Sequence, residues 1–159
     1  MTQKLYSVGE AQRLAKVKLP EMIYDFVEGS AGDESLRDLN TAALDKMRLM
    51  PRVLIDVSKR SLDLQFLGQD YGLPFGVAPM GMCNLVWPLA DQIIAREAAR
   101  RRFPVAVSTA SSTTLERMIE LADGFAWFQL YADQSPEFVS NLIERAASAN
   151  YVCLILTVD

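Results

Sequence analysis

Four short apolar runs recur after residue 74, each separated from the next by a helix signal, and this rhythm constrains the fold more than any other feature. The runs are Phe75-Gly76-Val77-Ala78, Val105-Ala106-Val107-Ser108, Phe125 to Tyr131 and Tyr151 to Val158, beginning near residues 75, 104, 125 and 151. Between the first two, residues 88–101 place Ala90, Ile93, Ile94 and Ala98 on one face, as an amphipathic helix does. Thr113-Thr114-Leu115-Glu116 reads as a capping box opening a second helix, with Leu115, Met118, Ile119 and Ala122 at helical spacing. Ser135-Pro136-Glu137 combines a cap, a proline at the first helical position and an acid in the first turn. The helix it opens is predicted to bury Phe138, Val139, Leu142, Ile143 and Ala146. The last run is almost wholly apolar and reads as a strand buried on both faces, the habit of parallel sheets covered by helices.

A βα unit repeated about every 25 residues fits a (β/α)8 TIM barrel better than an open doubly wound sheet. The open sheet would carry a glycine fingerprint after its first strand, and here that turn reads Ala78-Pro79-Met80-Gly81-Met82-Cys83. The predicted organisation is a helical N-terminal cover with a barrel-bottom hairpin over residues 1–73, then barrel strands 1–4 over 74–159. Half a barrel leaves unpaired strand edges, so a second segment, on the same or a second chain, is expected to complete it.

In the first third, Ser7-Val8-Gly9-Glu10 fits a capping box opening a helix to about Val17. A second helix carries Ile23, Phe26 and Val27 toward a core and ends in Glu28-Gly29-Ser30-Ala31-Gly32, where glycine suits a left-handed cap. Asp33 is the expected cap of a third helix over 34–46. Arg48 to Val53 is extended around Pro51. Asp63 to Leu67 alternates like a strand, followed by a turn over 68–72.

The chain has no histidine, which excludes a histidine base or metal ligand within it. Its net charge is −4, and the only dense basic run, Arg100-Arg101-Arg102, sits where a helix C-terminus favours cations, so a nucleic-acid surface is not indicated. Cys83 and Cys153 have no metal spacing and read as reduced thiols of a cytosolic protein, with no metal expected. No window is long and apolar enough for a membrane helix, and the first residues lack a secretory signal.

A barrel enzyme works at the C-terminal ends of its strands. Here those ends carry Pro79-Met80-Gly81, Ser108-Thr109, Gln129 with Tyr131, and Thr157 with Asp159. Alternation along a strand puts Gln129 and Tyr131 on one face, and Thr157 and Asp159 on one face. Each has a plain structural alternative: Ser108 and Thr109 as partners for turn backbone, Tyr131 as a wedge with a wet hydroxyl, and Asp159 as the cap of a following helix. Their coincidence at four successive strand ends favours a functional mouth. Hydroxyls, an amide and a close backbone approach at Gly81 suit a flat heterocycle, flavin or another ring.

The chain resembles the amino-terminal half of the FMN-dependent 2-hydroxy acid dehydrogenase/oxidase family. The matching stretches are YDFVEGSAGDE (24–34), PRVLIDVSKRSLDLQFLG (51–68), GVAPMGM (76–82), STASST (108–113), WFQLY (127–131) and LTVD (156–159), in the family's order. NLVWP (84–88) is most similar to the mandelate dehydrogenase branch. The resemblance implies a TIM barrel that binds FMN and oxidises a small 2-hydroxy acid, of the mandelate, lactate or glycolate class, to the 2-oxo acid. Pro79, Met80 and Gly81 would approach the flavin through backbone, and Ser108, Gln129 and Thr157 would bond its polar edge. Met80 and Gly81 stand where relatives often carry threonine and alanine. Tyr24 and Tyr131 would hold the substrate, and Asp159 would orient a catalytic histidine, making Tyr131 and Asp159 the catalytic candidates. The family's lysine, histidine, arginines and phosphate site lie in the second half of the barrel, so residues 1–159 alone are expected to be inactive. A homo-oligomer is expected, in the cytoplasm or peripheral at the inner membrane through a segment not in this sequence. The rival readings are another FMN-binding barrel enzyme, such as an isomerase, and a non-catalytic half-barrel assembly module.

Overall fold

The structure is a computed structural model, and it describes residues 4–132 and 135–158. The chain forms two compact units, residues 1–59 and 60–159.

The first unit is helical. Helix α1 spans Val8–Lys18, with the Ser7 hydroxyl accepting from the Glu10 N–H at 3.2 Å. The Glu10 carboxylate reaches back to the Tyr6 N–H at 2.8 Å, one residue beyond the usual capping-box donor. Helix α2, Glu21–Glu28, follows the break at Pro20. Of the two glycines after α2, Gly29 has φ −67°, and its N–H closes the last turn onto Asp25 O. The left-handed residues come later, at Gly32 and Glu34. Helix α3 spans Ser35–Asp45, and Glu34 rather than Asp33 occupies its cap position. Asp33 still accepts from the Ser35 N–H at 3.1 Å, and these bonds to Ser35 hold its carboxyl below the usual range. Phe26 and Val27 are exposed rather than turned into a core. Polar links join the helices instead, Arg37 to Glu34 and Glu28, and Gln12 to Glu28.

The second unit opens with an antiparallel hairpin, β1 (Leu64–Phe66) and β2 (Gln69–Tyr71). The turn expected over 68–72 is confined to Leu67 and Gly68, both at positive φ (50° and 76°). Two successive residues at positive φ match the right-handed twist of a tight hairpin. Next come four parallel strands in chain order: β3 (Val77–Met80), β4 (Val105–Ser108), β5 (Ala126–Tyr131) and β6 (Leu154–Thr157). Helices α4 (Ala90–Arg101), α5 (Leu115–Leu121) and α6 (Pro136–Ser148) make the crossovers.

Register divides the sheet into two faces. Val105, Val107, Ala126, Phe128 and Leu130 face the helices, packing with Ala95, Ala98, Met118, Ile119, Leu142 and Ala146. The alternate residues Ala106, Ser108, Trp127, Gln129, Tyr131 and Thr157 belong to the other face. At the N-terminal ends of the strands the hairpin supports that face. Trp127 Nε1 donates to the Tyr71 hydroxyl at 3.0 Å, which donates to Gln69 Oε1, and Phe66 packs on Trp127.

Several expectations shift. The buried stripe of α4 is Asp91, Ala95 and Ala98, while Ile93 is exposed. Leu89 at φ 60° delays the start of α4 past Pro88. Thr114, not Thr113, caps α5 and accepts from the Arg117 N–H. Ser135 caps α6 as expected, but Phe138 and Ile143 are half exposed. The strand expected to be buried on both faces is not: Leu154 and Leu156, on the helix face in register with Phe128 and Leu130, are about half exposed, and among the described residues β6 pairs only with β5.

Candidate functional site

The strand ends come together because all four strands are parallel and adjacent, so their C-terminal tips share one rim. Ser108 pairs in register with Gln129, and Tyr131 with Thr157. Gln129 is 1% exposed and Ser108 6%, so two polar side chains are buried in an otherwise apolar sheet. Buried polar groups need partners, and these have them. The Gln129 Oε1 accepts from the Thr109 N–H at 3.3 Å, and its Nε2 donates to Thr157 Oγ1 at 2.7 Å. Ser108 Oγ accepts from the Ala110 N–H at 3.1 Å. The Thr109 hydroxyl donates to Gln129 O at 2.7 Å and accepts from the Tyr131 N–H at 3.1 Å. Three strand ends are thereby stitched into one hydrogen-bonded set. Tyr131, at the end of β5, is half exposed.

At the end of β3, Pro79 and Met80 are exposed and Gly81 is partly so. The Met82 N–H donates to Ala110 O at 3.0 Å, drawing the β3 tip against the loop after β4. A Cβ at Gly81 would lie 3.0 Å from the Ala110 Cβ, tighter than ordinary packing, so the close approach of these loops favours glycine.

Sequence reasoning missed one residue of this rim. Asp91, in the first turn of α4, is 4% exposed, and its Oδ2 accepts from the Ser111 hydroxyl at 3.0 Å and the Ser112 N–H at 2.9 Å. The Ser111 Oγ in turn accepts from the Thr113 N–H, and it is the next residue, Thr114, whose hydroxyl caps α5. The Asp91 carboxylate thus clasps the serine-rich loop after β4 to the element that follows β3. An acid in a first turn ordinarily answers the helix dipole, and only a serine loop 20 residues downstream marks this one as different. Cys83 lies beside it. Burial first, then the hydrogen bond to and charge of Asp91, push the thiol up to about 11.

Residues 15–159 match the family described as FMN-dependent dehydrogenase. The chain belongs to that family. Among FMN-dependent dehydrogenase relatives, (S)-mandelate dehydrogenase of Pseudomonas putida is 35% identical over 159 residues, 100% of this chain and 40% of that protein. An L-lactate oxidase of a Nostoc species is 36% identical, over 94% of this chain and 42% of its own length. The crystal structure of monotopic membrane protein (S)-mandelate dehydrogenase superposes with a TM-score of 0.90 at 35% identity, covering 99% of this chain and 42% of that one. A mandelate oxidase structure gives 0.91 at 30% identity, covering 98% and 45%. The chain spans about two fifths of the length of these curated relatives. Its fold class is that of TIM-barrel flavoenzymes, with four parallel strands and their crossovers forming part of such a barrel.

Of the residues singled out from sequence, the structure gathers Ser108, Gln129, Tyr131 and Thr157 at one rim, with the Pro79–Gly81 turn held beside Ser108 through Ala110. Tyr24 lies in the first unit, on α2, with the Lys16 ammonium 5.9 Å from its ring centroid. Asp159 lies outside the described residues. Among the described residues no helix is long and apolar enough to cross a membrane.

The rim's donors suit a flavin. Each hydroxyl carries one proton and an amide nitrogen two. Among the described residues, Ser108 Oγ is bonded as an acceptor, Thr157 Oγ1 likewise, and Gln129 Nε2 spends only one N–H. Two O–H groups and one N–H therefore remain for an acceptor-rich ring edge.

Proposed function

We propose that these residues form the cofactor-facing half of an FMN-dependent enzyme that oxidises a small 2-hydroxy acid to the 2-oxo acid. The observation that carries the reading is the linked trio Ser108, Gln129 and Thr157, whose unspent donors lie at successive strand ends. Bound FMN would supply the two-electron acceptor for the hydride leaving the substrate carbon. Ser108, Gln129 and Thr157 would bond the polar edge of its ring, and Pro79, Met80 and Gly81 would present backbone to it. The neutral rim then orients the ring without competing for the proton.

Tyr24 and Tyr131 would hold the substrate's carboxylate and hydroxyl. The hydroxyl proton needs a base, and this chain has no histidine. We assign the base to a histidine of the completing segment, with Asp159 favouring its protonated form by opposite charge. None of the strand-end residues Pro79, Met80, Gly81, Ser108, Gln129, Tyr131 and Thr157 is a cation, so we assign the cations that balance a reduced ring and a carboxylate substrate to that segment too. The proposal extends to a completed barrel, formed with a segment of the same or a second chain, that assembles as a homo-oligomer in the cytoplasm or on a membrane surface.

The test is made on the completed protein. It should purify yellow, with flavin absorbance that bleaches anaerobically on adding mandelate, lactate or glycolate. A folded, colourless protein that takes up no FMN refutes the reading. Tyr24→Phe and Tyr131→Phe should each slow substrate-dependent bleaching. If both leave it unchanged, another FMN-dependent barrel chemistry, such as isomerisation, is the better account.

A further inference from the structure

Strand β4 ends at Ser108, whereas β5 continues to Tyr131, so beyond the Ser108–Gln129 pair β5 has no β4 residue to bond. One residue fills the gap. Thr109 makes three bonds across it, its N–H to Gln129 Oε1, its hydroxyl to Gln129 O, and its Oγ1 from the Tyr131 N–H. The first has a chemical consequence. A backbone N–H can only donate, so the amide group facing it must be the carbonyl. Gln129 Nε2 is therefore turned toward Thr157 and the rim. With the amide reversed, two donors would face each other at Thr109 and the rim would lose its N–H.

We propose that Thr109 is a positioning residue: its N–H turns the Gln129 amide so that an N–H is offered to the cofactor edge, and its hydroxyl locks the stretch of β5 backbone that carries Gln129 and Tyr131. This rests on the FMN reading of the rim. Thr109 need touch neither ligand. It couples the group that would hold the ring to the group that would hold the substrate, because both hang from the backbone it bonds. The strict alternation of β5 then carries the phenol and the amide to the same face.

The experiment compares Thr109→Val, Thr109→Ser and, should valine crowd the loop, Thr109→Ala in the completed protein. Valine keeps the bulk and the backbone N–H but removes the hydroxyl. Three readouts are taken: amide hydrogen exchange across residues 129–132, FMN dissociation constant by fluorescence quenching, and the same constant in a Gln129→Ala background. Thr109→Val should speed exchange at Tyr131 at least about tenfold, the loss of one protecting bond. It should weaken FMN binding by at least about tenfold alone and by less than about twofold on top of Gln129→Ala, since it acts through that amide. Thr109→Ser, which restores the hydroxyl, should return all readouts to near the unsubstituted values. Unchanged exchange in Thr109→Val overturns the inference, as does an undiminished loss of FMN affinity in the Gln129→Ala background, or a serine variant as impaired as valine. If the unsubstituted protein takes up no FMN, the proposed function fails, and exchange at Tyr131 still decides whether Thr109 locks the strand.

Discussion

Replacing Asp91 tests whether the rim is held from behind by a single buried carboxylate. Hydrogen bonds to charged groups contribute about 1.5–3 kcal/mol each, and Oδ2 of Asp91 accepts two, from Ser111 and Ser112. Ser112 is exposed, so its N–H can turn to water when the carboxylate is removed, which reduces the second loss. Asp91→Ala should therefore cost about 2–4 kcal/mol, and Asp91→Asn, which keeps one acceptor of the same shape, about half that. Urea unfolding of the completed protein measures both. Cys83 provides an independent reporter. Its thiol is held up partly by the hydrogen bond and charge of Asp91, so either variant should lower its pKa and speed alkylation near pH 9, where the native thiol remains mostly protonated. A cost below about 0.5 kcal/mol for the alanine variant, the level of an ordinary surface change, together with unchanged Cys83 reactivity, would refute the reasoning.

Phe128 is 1% exposed among Leu115, Leu130, Leu142 and Ala146, so Phe128→Ala should cost about 3–5 kcal/mol in urea unfolding. Gly76→Ala places a Cβ 2.5 Å from Pro104 O, the acceptor of the Val77 N–H. It should destabilise by about 1–3 kcal/mol, whereas Gly9→Ala, with open space inside α1, should stabilise by up to about 1 kcal/mol. The Glu116–Arg145 pair (2.8 Å) depresses the Glu116 carboxyl, chiefly through the hydrogen bond from Arg145. A depressed acid stabilises above its unfolded value near 4.3 and loses that stabilisation as pH falls through its folded value. Both side chains are nearly half exposed, so Glu116→Gln should cost under about 1 kcal/mol at neutral pH, less in high salt and nothing in strong acid.

Much of the sheet unit was legible because its signals are local. The strand Val105–Ser108, the Ser135-Pro136 helix start and the pairing of Gln129 and Tyr131 on one face follow from alternation and capping chemistry within a few residues. What escaped depends on contacts between distant segments. Leu67-Gly68 does not read as a hairpin turn, because leucine seldom adopts the positive φ it has here. Thr113 and Thr114 are both cap candidates until the loop sets the Thr114 hydroxyl on the Arg117 N–H. Asp91 looks like a solvated helix acid until Ser111 and Ser112 fold back onto it. The residue types at the strand ends were legible, but the direction of the Gln129 amide was not, since Thr109 sets it through space.

The strand order β3-β4-β5-β6 repeats the order of synthesis. Each new strand finds its partner already made and one βα unit away: Val77 with Val105, Ser108 with Gln129, Tyr131 with Thr157. Such a sheet can grow by accretion as the polypeptide leaves the ribosome, closing modest loops at every step and waiting on no later sequence. The same order makes assembly directional. Until its successor is made, each newest strand presents its open edge to whatever is nearby, so the pace of translation from β3 to β6 would govern how long a nascent chain stays vulnerable to mispairing.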